Sequence, residues 1–123
     1  MPQVYPSTDA HTHLDRLADV EGSQDWLQRS VQAGVRRWVL AAASPTDWEI
    51  LEQCTQRLAQ QPGCGAALCL GVHPWWVHEY TPQTLGTLIE TLAEHEELDG
   101  IGETGLDFAR APAPSQDSYA ADF

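Results

Sequence analysis

Two hydrophobic periods alternate along this chain. Short apolar runs with β-branched residues are separated by stretches in which apolar side chains recur every three or four positions. Thr8 to His13 read as a first strand. On a strand successive side chains take opposite faces, so Asp9, His11 and His13, and Asp15 just beyond, share one parity. "SQDWLQRSVQAG" reads as a helix with Ser23 as N-cap, Trp26, Leu27 and Val31 on one side, and Gly34 as the stop. "VRRWVLAAA" is strand two. Ser44 and Pro45 then open a helix carrying Trp48, Leu51, Thr55 and Leu58, which "QQPGCG" breaks. "AALCLGV" is strand three. Thr81 and Pro82 open a helix with the apolar stripe Leu85, Leu88, Ile89, Leu92 and Ala93, and "DGIGE" is strand four.

Strands thus start about every thirty residues with a helix between each pair, the period of βαβ units in a parallel sheet. The proline-rich loop "ARAPAPSQ" follows at 109–116, and "SQDSYAADF" reads as a further helix from Ser115 that stops after two turns. With 123 residues and 42% apolar side chains, one globular domain with one core is expected. No run is long enough for a membrane span, and "MPQVYPSTDA" lacks the basic start and apolar stretch of a signal peptide, so a cytoplasmic protein is expected.

Charge and cysteines narrow the function. The net charge of -12 arises from 18 acids against six arginines, with no lysine. Such a surface repels polyanions and argues against a nucleic-acid coating role, which works through clustered basic side chains. An acidic protein can still hydrolyse a phosphodiester when divalent ions supply positive charge locally. Cys54, Cys64 and Cys69 are odd in number and lack C-x-x-C spacing, so they read as reduced, partly buried thiols.

In parallel α/β folds ligands lie at the carboxyl ends of the strands, and three candidate groups fall there. Strand one delivers His11 and His13, strand three runs into "LGVHPWW" with His73, and strand four delivers Glu103 in "GIGETGLDF". Histidine nitrogens and a carboxylate from different strands make a mixed site suited to zinc, manganese or a similar ion. His73 can serve as a phosphate donor, as a partner of a metal ligand, or as a loop cap. Asp9, Asp15 and Asp107 are candidates to accept the second ring N–H of a ligating histidine. Trp75 and Trp76 pack in the loop or stack on a base, Arg16 and Arg110 grip a phosphate or lie in solvent, and His78 and His95 read as exposed and inert.

These motifs resemble those of the TatD family of metal-dependent deoxyribonucleases. "DAHTHLD" is similar to its D-x-H-x-H-L-D, "GVHP" to its G-x-H-P, and "IGETGLDF" to its I-G-E-x-G-L-D-[YF], in the same order. The resemblance implies an α/β fold of the TIM-type (β/α)8 barrel, a domain of about 250 residues, of which residues 1–123 would supply the N-terminal half with about four βα units. It implies cleavage of DNA phosphodiester bonds by a metal-activated water. His11, His13 and Glu103 would be metal ligands, with Glu103 bridging two divalent ions, and Glu103 and His73 would serve catalysis. The family completes its site with two later histidines and a late aspartate. No histidine follows His95 here, and Asp117 and Asp122 do not stand in a matching motif.

Three structural outcomes remain open at the level of sequence: a piece of a longer enzyme, a half-barrel that pairs with itself or with a missing C-terminal half, or an open α/β sandwich. Two functional alternatives accompany them. One is an amidohydrolase using the same H-x-H on C–N bonds, and the other is a catalytically incompetent half-barrel acting as a metal-binding or interaction module.

Overall fold

The computed structural model describes residues 5–17, 23–107 and 109. Asp15 lies within a described backbone turn, but its side chain, like Arg110, Asp117, Asp122 and the helix expected from Ser115, lies outside the described residues.

Four parallel strands form one sheet in the order β1-β2-β3-β4: Ser7–Thr12, Val35–Ala41, Gly65–Leu70 and Gly100–Ile101. Three α-helices alternate with them: α1 Ser23–Gln32, α2 Trp48–Ala59 and α3 Pro82–Glu94. The order never reverses, so each right-handed crossover returns the chain on the same side. The helices therefore share one face of the sheet, which distinguishes this arrangement from a doubly wound sandwich.

Strand alternation sorts the two faces. Trp38 and Leu40 of β2, with Leu68 and Leu70 of β3, are fully buried toward the helices, where they meet Trp48, Leu51 and Leu58 of α2. Trp26, Leu27 and Val31 of α1 and Leu88 and Leu92 of α3 close over the same core. Val39, Ala41, Cys69 and Ile101 point the other way and line a cavity. Ile101 on that face is 59% exposed.

The caps act largely as their residue types dictate. The Thr81 hydroxyl accepts the Thr84 N–H at 3.2 Å, with Pro82 next to it. The second helix starts less regularly: Pro45–Asp47 form a 3-10 turn before α2, and the Asp47 carboxylate accepts the Ser44 N–H at 3.1 Å. α3 differs from its apolar pattern. Leu88 and Leu92 pack inward, but Ile89 is 66% exposed because four turns resting on the sheet edge cover only a narrow stripe. No helix among the described residues is long and apolar enough to cross a membrane.

Candidate metal centre

Four backbone hydrogen bonds beyond the strand ends assemble the site. Ala42 N–H donates to the Cys69 carbonyl and His73 N–H to the Ala43 carbonyl, at 3.0 and 2.8 Å. Gly102 N–H donates to the Leu70 carbonyl at 3.0 Å, and Glu103 N–H reaches the Ala42 carbonyl at 2.8 Å. β3 lies between β2 and β4, so the chain leaving β4 passes over the end of β3 to bond β2. Gly71 lies beneath this crossing, where a β-carbon would overlap the Glu103 carbonyl. The crossing carries Glu103 from the fourth strand toward the histidines of the first.

At the other edge, the register of β1 against β2 shifts between Asp9 and Thr12, a bulge of the kind that re-aims side chains beside functional sites. β1 ends at Thr12, and His13 leads into the 3-10 turn Leu14–Leu17. Nε2 of His11 lies 3.1 Å from Nε2 of His13 and 3.0 Å from Oε1 of Glu103, and His13 Nε2 lies 3.7 Å from the same oxygen. Among the described residues these form the one group of three such donors close enough to share an ion.

The donor set fits a divalent cation. Two donors at about 2.1 Å from one ion, at tetrahedral or octahedral angles, lie about 3.0 to 3.4 Å apart, close to the separations found. The His13 ring is already oriented for it. Its Nδ1 lies 3.0 Å from the Ala41 carbonyl, which can only accept, so Nδ1 carries the proton and Nε2 keeps its lone pair. His11 is about half exposed and Glu103 mostly covered, so the triad opens to solvent on the histidine side. His11 and Glu103 line one rim of a cavity of about 600 Å³ that His73 and Asp107 also border.

Two of the aspartates expected to orient the ligands, Asp9 and Asp107, take other partners. Asp9 accepts the His11 backbone N–H at 3.3 Å, and Ala41, rather than a carboxylate, fixes the His13 ring. Asp107 accepts the Trp75 indole N–H at 2.5 Å and the Ala109 amide at 3.1 Å. His73 Nδ1 accepts the Trp75 backbone N–H at 3.1 Å. Trp75, exposed in the turn after His73, is thus held at both its backbone and its ring. Arg16 is exposed and borders a separate cavity of about 260 Å³ with Ser44 and Trp76.

His78 lies exposed in a 3-10 turn, as its polar surroundings suggest. His95 corrects the sequence reading. It is largely covered, with Nε2 2.7 Å from Oε1 of Glu52, which ties the end of α3 to α2. The polar neighbours of His95 in sequence concealed a partner forty-three positions earlier. Sequence reasoning also missed the Ala41 and Ala42 carbonyls and Gly71, although the glycine of "GVHP" marks a place where backbone can approach closely.

The thiol of Cys69, on the cavity side of β3, is pushed up by burial and, less strongly, by the Asp99 carboxylate. All three cysteines are unbridged.

Comparison with known proteins adds a family. The model of the family described as "TatD related DNase" matches residues 8–121. A protein of Pantoea vagans (strain C9-1) named "3'-5' ssDNA/RNA exonuclease TatD" is 37% identical over 117 residues, covering 93% of this chain and 42% of the relative. One of the same name from Pantoea sp. (strain At-9b) is 32% identical over 117 residues with the same coverage. The chain spans less than half the length of these curated relatives.

Proposed function

The chain belongs to the TatD related DNase family, and from that premise we propose that its fold and triad serve metal-dependent hydrolysis of phosphodiester bonds in DNA. The observation that carries this reading is the meeting of His11, His13 and Glu103 from opposite edges of the sheet, with donor separations that suit one divalent ion. On this reading residues 1–123 correspond to the N-terminal half of a TIM-type (β/α)8 barrel. The sequential strand order and one-sided helices accord with that placement.

In the proposed chemistry His11, His13 and Glu103 would hold a divalent ion, with a second ion expected beside it. Such ions would supply an activated water and positive charge for the phosphate and leaving oxygen. The chain's own residues prepare the place. The Ala41 carbonyl keeps the His13 Nδ1 protonated and its Nε2 free to ligate. The Ala42 carbonyl anchors the backbone of Glu103, so that the carboxylate is held without depending on a mobile loop. His73, whose Nδ1 is occupied by a backbone amide, offers an Nε2 proton to a phosphate oxygen in the same cavity. The covering of most of Glu103 raises its attraction for a cation relative to a fully solvated carboxylate. Three unbridged thiols accord with a reducing compartment such as the cytoplasm.

A second reading is favoured by one observation, the 59% exposure of Ile101 on the open sheet face: a module that holds an ion without turnover and works by association through that face. The two separate in one experiment. The purified chain is given single-stranded DNA with manganese or zinc, with and without chelator, beside Glu103→Ala. Cleavage abolished by chelator and by the substitution supports the nuclease. Ion binding that needs Glu103, with no cleavage and with self-association, supports the second reading.

A further inference from the structure

The HPWW turn and the loop after β4 are joined by a chain of hydrogen bonds that begins at a carboxylate and ends on an imidazole. Asp107 Oδ2 accepts the Trp75 indole N–H at 2.5 Å, and its Oδ1 accepts the Ala109 amide at 3.1 Å. The Trp75 amide donates to His73 Nδ1 at 3.1 Å, and the two rings meet edge to face with centroids 4.9 Å apart. Pro74, buried between them, fixes one torsion of the turn, and the Trp76 amide closes it on the His73 carbonyl at 2.9 Å. The His73 amide is tied to Ala43 at 2.8 Å. The ring therefore has its backbone fixed from one side and its Nδ1 from the other.

We propose that Asp107 acts through Trp75 as a positioning residue for His73. By holding the indole it fixes the Trp75 amide against Nδ1, which places the proton of the neutral imidazole on Nε2 and makes His73 a hydrogen-bond donor at the cavity beside the metal triad. The reason is one of tautomers. An imidazole with a free Nδ1 exchanges its proton between the two nitrogens, and as an acceptor at Nε2 it would repel a phosphate oxygen. A backbone N–H pointed at Nδ1 excludes that form. That N–H is held only as well as Trp75 is held, and the short charge-assisted bond to Asp107 is the anchor furthest from the turn itself. Asp107 thereby serves His73 rather than a metal-ligating ring.

The purpose of the donor rests on the nuclease reading, but its existence does not, so the test uses no substrate and no ion. Nitrogen-15 spectra of the His73 ring are recorded in the chelator-treated chain, in Asp107→Ala, in Asp107→Asn, whose amide oxygen still accepts the indole N–H, and in Trp75→Phe, which keeps the ring packing and loses the donor. The expected result is an Nε2-protonated ring in the parent and in Asp107→Asn. In Asp107→Ala and Trp75→Phe the ratio of the two tautomers falls about fivefold, the worth of one ordinary hydrogen bond. If one of these two does not fold, the other decides. A proton on Nδ1 in the parent, or an unchanged ratio once the indole bond is lost, overturns the proposal. Absence of DNA cleavage by the parent would count against the nuclease reading and leave the tautomer result standing.

Discussion

The carbonyl of Glu103 lies directly over Gly71, so close that the smallest side chain would overlap it. This contact lets the segment after β4 cross β3 and bond Ala42. Gly71→Ala is expected to lower stability by about 1–3 kcal/mol through overpacking. It should also weaken manganese binding, because Glu103 moves while the histidines stay. Urea denaturation and a metal titration measure the two effects. Gly86 is the contrast: exposed on α3 with open space at its β-carbon, its replacement by alanine should stabilise the chain by up to about 1 kcal/mol.

An ion that binds the triad in the folded chain alone must raise the melting temperature. Manganese or zinc at about a hundred times its dissociation constant should add about 2.7 kcal/mol. Calorimetry should show the gain reversed by chelator and absent in His11→Ala and Glu103→Ala. A gain that survives both substitutions would place the ion elsewhere.

Burial and Asp99 make the folded chain hold the Cys69 proton more tightly than the unfolded chain does. The resulting stability is complete below the ordinary thiol range and is lost as pH rises through the raised folded value. The urea midpoint of the parent should therefore fall more steeply than that of Cys69→Ala as pH rises through and above the ordinary thiol range. Parallel curves would contradict the assignment. Alkylation of Cys69 at neutral pH should likewise be slow.

Leu51 is fully buried where α2 meets the sheet, among Trp38, Leu40 and Leu68. Leu51→Ala should cost about 2–5 kcal/mol by chemical denaturation, with the secondary structure retained. Ile89→Ala, on the open side of α3, should change stability by less than about 0.5 kcal/mol.

Much of this was legible in the sequence for physical reasons. The apolar runs around Trp38 and Leu68 and the Ser-Pro and Thr-Pro starts are local signals, and they locate β2, β3, α2 and α3 to within a few residues. His11, His13 and Glu103 were legible because charged or ligating groups at the ends of apolar strands are costly without a partner. What was not legible depends on distant backbone. The bulge after Asp9 breaks the period-two parity that set Asp9 beside the histidines as a carboxylate to orient them, and it is set by pairing with β2. The crossing over Gly71 and the His95–Glu52 pair join residues with no shared periodicity. β4 is also shorter than "DGIGE" suggested, since Glu103 leaves the ladder with β3 to bond Ala42.

The crossing also sets the order in which the centre is born. His11 and His13 are made early on the ribosome, while the carboxylate waits for β4 and for the loop from Ala42 to Glu103 to close. Closure over so long a separation is entropically slow and follows the local helices and the β1–β2 pairing. A nascent or clipped chain that ends before β4 presents the two imidazoles without their third donor. On the proposed reading, uptake of an ion by all three donors would require that all four strands have docked.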